Sequence, residues 1–454
     1  MRAGVRTPFP SPERSLRTSE ELRLGPGIAS PHDLSQLARG LIGSEVLRIA
    51  GEVRAAIAAG RHVLNLTVGD FDPREFPLPD MLREEVKGAL DAGHSNYPPS
   101  NGVPELRRAV AELYRREFQL EYPVESVVVA GGARPLIYAA YRTLLDPGDA
   151  VAFPVPSWNN NHYCHLAGAR PVALAVRREH GFHPTPEQVA AVLPQVRLVA
   201  LCSPLNPTGT NMSAAALEAI ARLVVDENRR RAAAGDRPVF LLFDQVYWCT
   251  SFADGLPLTP PALVPEVAPH TVLVDAISKS LAATGLRVGW ALAHPAVTAR
   301  LSDLLGHVGA WAPKAEQVAT AAFLGHPSAL RDFRAAMAER LRARLRLLHD
   351  GLVRLRRRGV PVDVVEPEGT LYLAARFPPA SVAGRELRTN EDVRQWLLEA
   401  AGVAVVPFQA FGVEGEDGWC RLSVGATSPA AIEQGLERLE RAFLPAGAAR
   451  APAG

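Results

Sequence analysis

Two basic residues eight positions apart, Lys279 and Arg287, are of the right types to bind an anionic ligand and to form a covalent bond with it. A nucleophilic amine must be neutral, whereas an ordinary lysine, with a pKa of ~10.4, is charged in neutral water. Burial and neighbouring cations lower that pKa, and a Schiff base with a carbonyl compound is the usual outcome. The guanidinium of Arg287 matches phosphate geometry, so the pair predicts a carbonyl cofactor that also carries an anionic group. The alternative is a surface lysine in a loop.

Short apolar segments separated by helical patterns would position these two residues. Such segments lie at 126–130, 150–153, 198–202, 239–243, 271–275 and 289–292. Continuous apolar strands are expected where helices cover both faces of a sheet. The pattern predicts an α/β fold, a mostly parallel mixed sheet sandwiched by helices, with ligand groups at the strand ends.

A second, smaller α+β domain is predicted after a long helical stretch at 329–358. Its strands are expected near 362–365, 371–377, 403–406 and 420–424, and its helices at 390–401 and 429–443. The expected division is a mobile arm (1–30), an N-terminal segment joining the small domain (31–75), a large cofactor-binding domain (76–326), the small domain (327–445) and a disordered tail (446–454).

Composition excludes several classes of protein. The 454 residues exceed one ordinary core, and the formal net charge of +1 argues against attraction to nucleic acid. Four widely spaced cysteines without a C-x-x-C pair indicate a reducing cytoplasm and no zinc site, so no metal is expected. Residues 1–17 lack the apolar core of a secretory signal, and no run of about 18 apolar residues predicts a membrane span.

Five further residues stand in turns or at strand ends, and each has an ordinary structural interpretation. Asp244 follows an apolar strand and can simply end a turn. Tyr247 and Trp158 can be core aromatics. Asn206 lies in an Asn-Pro turn, and turn chemistry alone explains it. Arg421 can be a surface arginine between strand residues.

In their order along the chain, these motifs resemble those of the class I/II aminotransferases, pyridoxal-phosphate enzymes of the aspartate aminotransferase fold type. The resemblance runs from about residue 63 to the last predicted helix. Its residues are Gly69-Asp70-x-Asp72-Pro73, Tyr97 with Gly102, Pro156-Ser157-Trp158, Asn206-Pro207-Thr208-Gly209, Asp244-x-x-Tyr247, Ser278-Lys279 with Arg287, and Arg421-Leu422-Ser423. Each motif is unspecific alone, and their shared order carries the resemblance.

The resemblance implies a site for pyridoxal 5'-phosphate. Lys279 would form the Schiff base, Asp244 would pair with the pyridine nitrogen, and Tyr247 and Asn206 would contact the phenolate oxygen. Trp158 would stack on the ring. The expected phosphate contacts are the backbone N–H groups of Gly132 and Ala133, the Ser278 hydroxyl and Arg287. Gly131, Ala133 and Ala276 occupy positions where many relatives have hydroxyl side chains, and Gln245 stands where they usually have Glu.

The resemblance also implies a homodimer with shared sites, because Tyr97 would reach the phosphate in the neighbouring subunit. Arg421, with Gly69 and Asn206, would bind the substrate. The implied reaction moves an amino group from an L-amino acid to a 2-oxo acid. A lyase or synthase using the same cofactor is the first alternative, since one fold hosts several chemistries. A non-catalytic ligand-sensing module is the second.

Overall fold

The computed structural model describes Thr18, Leu22, 30–253, Gly255, 257–382 and 385–444. Of the arm predicted at 1–30, only Thr18, Leu22 and Ser30 are among these residues, and the tail predicted at 446–454 lies outside them. The chain divides into two compact units, 1–42 and 43–454. In the first, helix α1 (Gln36–Arg39) begins where the Ser35 hydroxyl accepts a hydrogen bond from the Ala38 amide.

The second unit holds all other α-helices and all β-strands that the structure describes. Its helices are α2 (Glu45–Ala58), α3 (Asp80–Asp91), α4 (Pro104–Glu117), α5 (Ala133–Leu144), α6 (Asn160–Ala167), α7 (Pro186–Val192), α8 (Ala214–Ala234), α9 (Pro260–Leu263), α10 (Ile277–Ser280), α11 (Pro295–Val308), α12 (Lys314–Leu324), α13 (Pro327–Arg357), α14 (Asn390–Ala400) and α15 (Pro429–Phe443). Its strands are β1 (Leu64–Asn65), β2 (Val127–Ala130), β3 (Ala150–Val155), β4 (Arg170–Ala175), β5 (Leu198–Cys202), β6 (Phe240–Asp244), β7 (Thr271–Ala276), β8 (Gly289–Leu292), β9 (Asp363–Val364), β10 (Tyr372–Arg376), β11 (Ser381–Val382), β12 (Arg385–Glu386), β13 (Val403–Ala404), β14 (Val406–Pro407) and β15 (Trp419–Ser423). None of these described helices is long and apolar enough to cross a membrane.

A seven-stranded sheet forms the centre of this unit, in the order β2-β8-β7-β6-β5-β3-β4. Six strands run in one direction, and β8 alone is antiparallel to both of its neighbours. Buried apolar clusters cover both faces, which explains why the central strands are apolar throughout. The prediction of a mostly parallel mixed sheet sandwiched by helices is confirmed.

The antiparallel strand has a consequence for the site. The carboxyl ends of β2, β5, β6 and β7 lie at one edge of the sheet, where ligands bind in such folds. Because β8 runs the other way, its first residue, Gly289, pairs with the last residues of β2 and β7, Ala130 and Ala276. Arg287 is therefore brought to the same edge as Lys279, although eight residues separate them in the chain.

A second, smaller sheet has the order β14-β15-β10-β9 with antiparallel pairing throughout. Its core is a separate apolar cluster that includes Leu341, Leu345 and Leu348 of α13. Strand β1 pairs in parallel with β13, so that the chain just after α2 is joined to the C-terminal region. This mixture of helices and antiparallel strands is the α+β architecture that the sequence predicted.

Several elements depart from the sequence prediction. The helical pattern at 213–226 predicts a helix that ends at Asp226, but α8 continues to Ala234 and ends at Gly235, whose φ of 73° suits a helix C-terminus. Strand β4 is absent from the prediction because it is an edge strand with mostly exposed side chains, so it lacks the apolar run that was searched for.

Gly209 lies where the loop after β5 meets the start of β10. Its φ is 76°, and an added Cβ would overlap the Tyr372 carbonyl oxygen and come within 3.3 Å of the Gly369 oxygen. These backbone atoms cannot move aside without shifting the strand. Gly209 thus permits the close approach of the two sheets.

Gly209→Ala is expected to cost about 1–3 kcal/mol from backbone strain and about 1–3 kcal/mol more from steric overlap. Gly235→Ala is the matched control, because it has a similar φ of 73° with no atom within 4 Å of the added Cβ. Thermal unfolding of both variants measures the difference. Equal losses in the two variants would show that the contact with β10 does not constrain the chain.

Candidate active site

A cavity of about 450 Å³ opens at the carboxyl edge of the large sheet and reaches the smaller sheet. Ten of the residues to which the sequence analysis assigned roles line it, and they lie on at least six different segments. These are Gly69, Ala133, Trp158, Asn206, Asp244, Tyr247, Ser278, Lys279, Arg287 and Arg421. Gly132 and Tyr97 do not line it.

Lys279, on the short helix that follows β7, is held in the cavity by a hydrogen bond from Nζ to the Gly69 carbonyl oxygen. Burial lowers the pKa of this amine to about 8, whereas the charge of Asp70 raises it and Arg421 lowers it further. The structure therefore gives Lys279 the environment that amine nucleophiles need.

Asp244 and Tyr247 lie at the end of β6 and in the turn that follows it. Burial raises the pKa of the Asp244 carboxyl to about 6, and a hydrogen bond from the Val246 amide opposes the shift. Among the described residues, no basic side chain lies within ion-pair distance of this carboxyl. The Tyr247 hydroxyl is 3.1 Å from the Tyr372 hydroxyl. A buried carboxylate of this kind suits a cationic ligand atom.

An anion cradle forms where α5 begins beside the start of β8. Arg287 donates to the Thr284 carbonyl at 2.8 Å and to the Gly131 carbonyl at 2.9 Å, and its φ of 56° is unusual for a residue other than glycine. The first-turn N–H groups of α5, from Ala133 onward, have no partner within the helix. Ser278 lines the same region. Helix N-termini with an adjacent guanidinium bind phosphate.

Gly132 contributes space to this cradle, and its N–H group does not point into it. An added Cβ at Gly132 would lie 2.9 Å from the Arg287 Cζ atom, and the residue has a φ of 97°. Its N–H group donates to the Ala130 carbonyl at 2.7 Å. The sequence analysis expected this amide to contact an anion, but it donates to Ala130 instead. The amides that have no acceptor within the helix begin at Ala133.

Arg421 is buried in the centre of β15, with 1% of its surface exposed, so it is not the surface arginine of the alternative interpretation. Nη2 donates to the Thr67 carbonyl at 2.7 Å and Nη1 to the Asn206 Oδ1 atom at 3.3 Å. Its Nε has no partner among the described residues. A buried guanidinium with spare donors is suited to a carboxylate.

Trp158 and Tyr97 differ in their placement. Trp158 lines the cavity and lies under the Arg134 guanidinium, 5.0 Å from ring centroid to Cζ. The Asn159–His162 segment beside it is mostly the start of α6, with Asn159 as the N-cap. Tyr97 is 80% exposed and contacts the Trp311 ring edge-to-face at 5.1 Å. Its hydroxyl is available to another molecule.

Sequence reasoning missed several polar residues of the cavity, among them Asp70 as an acid, Arg134, Thr284 and Tyr372. Asp70 accepts a hydrogen bond from the Thr284 hydroxyl at 2.6 Å. Tyr372 lies under the Arg421 guanidinium, 4.6 Å from Cζ to the ring centroid. The sequence also singles out Lys279 in another way, because the chain has only three lysines, Lys87, Lys279 and Lys314, among 49 Lys and Arg residues.

The donor set fits pyridoxal phosphate. The cavity offers an amine of lowered pKa, a buried carboxyl without a cation, and an anion cradle of Arg287, Ser278 and the α5 N-terminus. Each matches one group of the cofactor: the carbonyl carbon, the ring nitrogen and the phosphate. No cluster of three metal-ligating side chains occurs among the residues that the structure describes.

Comparison with known proteins agrees with this geometry. The sequence profile of the family "Aminotransferase class I and II" matches residues 61–439. An aspartate aminotransferase of Rhizobium meliloti (strain 1021) is 30% identical, over 88% of this chain and 93% of that protein. A probable aspartate/prephenate aminotransferase of Thermus aquaticus is 31% identical, over 90% of this chain and 99% of that protein. The solved structure of Thermus thermophilus aspartate aminotransferase with maleate aligns with a TM-score of 0.80 and 29% identity, over 90% of this chain and 99% of that one.

The match extends over most of the chain and most of each relative, and it includes every motif quoted above between Gly69 and Arg421. The family resemblance and the fold type that it implied are confirmed. The chain belongs to the class I and II aminotransferases and is a transaminase, an enzyme that moves an amino group from an amino acid to a 2-oxo acid.

Proposed function

We propose that this transaminase works with pyridoxal 5'-phosphate attached covalently to Lys279. The observation that carries the proposal is the Lys279 amine, whose pKa burial lowers to about 8, in the same cavity as a buried, unpaired carboxyl and an anion cradle. When bound, the cofactor supplies a carbonyl for amine attachment and an electron sink for the substrate carbanion.

The chain's own groups have separate roles in this proposal. Arg287, Ser278 and the first amides of α5 would bind the phosphate, while the Asp244 carboxylate would pair with the ring nitrogen and favour its protonated form. Tyr247 and Asn206 would donate to the phenolate oxygen, and Trp158 would pack on the ring. Gly132 leaves room for the Arg287 side chain.

Arg421 binds the substrate α-carboxylate, supported by Asn206 and by the close approach of Gly69. With the cofactor bound, Lys279 Nζ would take the proton from the substrate Cα atom. General base catalysis of this kind contributes ~10²–10⁴-fold. The relatives are named for aspartate and prephenate. We therefore take an acidic amino acid and its 2-oxo acid as the first substrates to test.

A homodimer with shared sites is part of the proposal. Tyr97 lies outside the cavity of its own chain with 80% of its surface exposed, which supports a contact with the partner's phosphate site. The proposed location is the cytoplasm, because all four cysteines are free thiols. The proposed domain division is the one that the sequence predicts. Helix α13 joins the domain of the large sheet to the domain of the smaller sheet.

Borohydride reduction of the yellow holoenzyme should fix the cofactor on Lys279. The modified residue is easy to identify because Lys87 and Lys314 are the only other lysines of the chain. At the surface, Lys87 donates to Glu84 and Lys314 donates to Asn96. Peptide mass spectrometry should find the adduct on Lys279 in the wild type and in the Lys87→Arg/Lys314→Arg double variant. An adduct that disappears in the double variant, or one on another residue, refutes the assignment. Lys279→Ala should bind cofactor and hardly turn over.

Cofactor capture should follow the titration of Lys279. Because burial lowers the pKa of the amine to about 8, it is mostly neutral above that pH, and the initial rate of capture by apoenzyme should rise with a midpoint around pH 8 and level off at higher pH. The Asp70 charge raises this pKa, so Asp70→Asn should move the midpoint downward, while Asp72→Asn, paired with exposed Arg74, should leave it in place. Borohydride quenching at short times measures the rate. A wild-type midpoint near 10 would contradict the assignment.

Subunit mixing tests the shared site. Lys279→Ala and Tyr97→Ala homodimers are each expected to be impaired, whereas a mixed dimer places both defects in one site and neither in the other. Activity should then recover to about half of the wild-type sites, an expectation of two-fold symmetry. Heterodimers purified by two different tags provide the measurement. No recovery in confirmed heterodimers would show that both residues serve one subunit's site.

A further inference from the structure

A second cavity, of about 290 Å³, lies outside the active site. Among the described residues it is lined by Phe252, Arg342, Arg346, Glu366 and Pro367, and none of these lines the active-site cavity. Arg342 and Arg346 are four residues apart on α13, so their side chains lie on the same face of that helix. The second cavity therefore brings two guanidinium groups to one space.

These two arginines have no counter-charge in the part of the chain that the structure describes. Arg344, between them on the helix, pairs with Glu75, whereas neither the Arg342 nor the Arg346 side chain forms an ion pair or a hydrogen bond with a described residue. The Arg342 Cζ atom lies over the Phe252 ring, 5.0 Å from its centroid. Like charges one turn apart on a helix repel each other. An anion between the two guanidinium groups would relieve that repulsion.

Glu366 is the acidic residue in the described lining of the second cavity, and it contacts a different base. Its Oε2 atom is 3.2 Å from the His349 Nε2 atom, and the other ring nitrogen of His349 is 2.9 Å from the Asp350 carboxyl. Among the described residues, Glu366 forms no ion pair with Arg342 or Arg346. The lining therefore carries a net positive charge.

We propose that the second cavity binds a phosphate group, as inorganic phosphate or as the phosphate ester of a small metabolite. A carboxylate has two oxygens, which one guanidinium engages fully, whereas a phosphate has at least three acceptor oxygens and up to two charges for two guanidinium groups. Because the Phe252 ring covers one face of the Arg342 guanidinium, its N–H donors remain available in the plane of the group. A volume of about 290 Å³ is at the lower end for small-molecule sites, so it suits a small ligand.

The second cavity adjoins a contact between the loop after β6 and the segment before β10. The Phe252 amide donates to the Glu368 carbonyl at 2.8 Å, and the Thr370 amide donates to the Thr250 carbonyl at 3.0 Å. Phe252 belongs to the loop and Glu366 to the segment, and both line the cavity. A phosphate that fixes Arg342 against Phe252 therefore stabilises this contact.

This contact leads to the active site through two tyrosines. Tyr247 comes three residues before Thr250, and Tyr372 comes two residues after Thr370. The hydroxyl groups of the two tyrosines are 3.1 Å apart, and both side chains line the active-site cavity. A ligand in the second cavity thus restrains the backbone that carries both tyrosines, without entering the cofactor site.

Calorimetric titration of borohydride-reduced holoenzyme tests the site, because a covalently fixed cofactor keeps added phosphate away from Arg287. Inorganic phosphate, glycerol 3-phosphate, glycerol and acetate are titrated separately at constant ionic strength. The wild type should bind both phosphate compounds more tightly than acetate or glycerol. Tighter binding of glycerol 3-phosphate than of inorganic phosphate would identify an ester as the ligand, and the reverse order would identify the free ion.

Substitutions in the lining should change the affinity in opposite directions. Arg342→Gln/Arg346→Gln should raise the Kd for phosphate at least about 10-fold, as expected for losing hydrogen bonds to a charged group. Glu366→Gln should lower the Kd, because it removes the charge that repels the anion. The matched control is Arg354→Gln/Arg357→Gln, which removes two exposed α13 cations outside the cavity and should change the Kd less than about 2-fold.

Hydrogen exchange provides a second readout at the proposed contact. Phosphate should slow the exchange of the Phe252 and Thr370 amides in the reduced wild-type holoenzyme, because it stabilises the hydrogen bonds that these amides donate. The Arg342→Gln/Arg346→Gln variant should show no such protection. Arg342→Lys/Arg346→Lys retains both charges and should recover part of it. Thermal unfolding without phosphate shows whether each variant is folded.

Three results overturn the proposal. The reduced wild-type holoenzyme binds phosphate no more tightly than acetate; Arg342→Gln/Arg346→Gln binds phosphate as the wild type does; or the control variant loses as much affinity as the cavity variant. A protein that captures no pyridoxal phosphate on Lys279 refutes the proposed function alone. The titration is then made on Arg287→Gln protein and its cavity variants, and the same three results decide.

Discussion

The excess of positive charge in one half-enclosed cavity is the constraint on which the site depends. Lys279 and four arginines, Arg54, Arg134, Arg287 and Arg421, line it against two acids, Asp70 and Asp244. Burial is the main cause of the lowered pKa of the Lys279 amine, about 8, and the charges of Arg421, Arg134 and Arg287 lower it further. The same enclosed cavity that makes the amine nucleophilic therefore also offers guanidinium groups to anions.

The fold makes this concentration of charge sterically possible by bringing two sheets into close contact. The large sheet supplies Lys279 and Arg287 because β8 alone reverses direction, and the small sheet supplies Arg421 from the centre of β15. Glycines stand where backbones meet. An added Cβ at Gly289 would lie 2.6 Å from the Gly132 carbonyl carbon, between the start of β8 and the start of α5. Larger residues there would separate Arg287 from the α5 N-terminus.

The sequence predicted those parts of the molecule whose physical cause is local. Apolar strands, the helix at α13 and polar residues directly after strands follow from residues near in the chain, and the structure brings Lys279, Asp244, Asn206 and Arg421 into one cavity. Edge strand β4 was missed because exposure removes its apolar pattern. Arg134 was missed because a cation at a helix start is ordinary in sequence, and its place in the cavity is visible only in three dimensions. The Gly132 amide was assigned to an anion, and the structure gives it to Ala130.

Tyr372 shows why long-range contacts complete such a site. Its hydroxyl is 3.1 Å from that of Tyr247, beside the proposed phenolate position, while its ring lies under the guanidinium of Arg421. The same hydroxyl would be 2.7 Å from a Cβ added at Gly69, whose carbonyl accepts the Lys279 hydrogen bond. One aromatic side chain thus contacts the groups proposed for the cofactor and for the substrate carboxylate. The positions of the groups proposed for the cofactor and for the substrate carboxylate therefore both depend on where β10 places Tyr372.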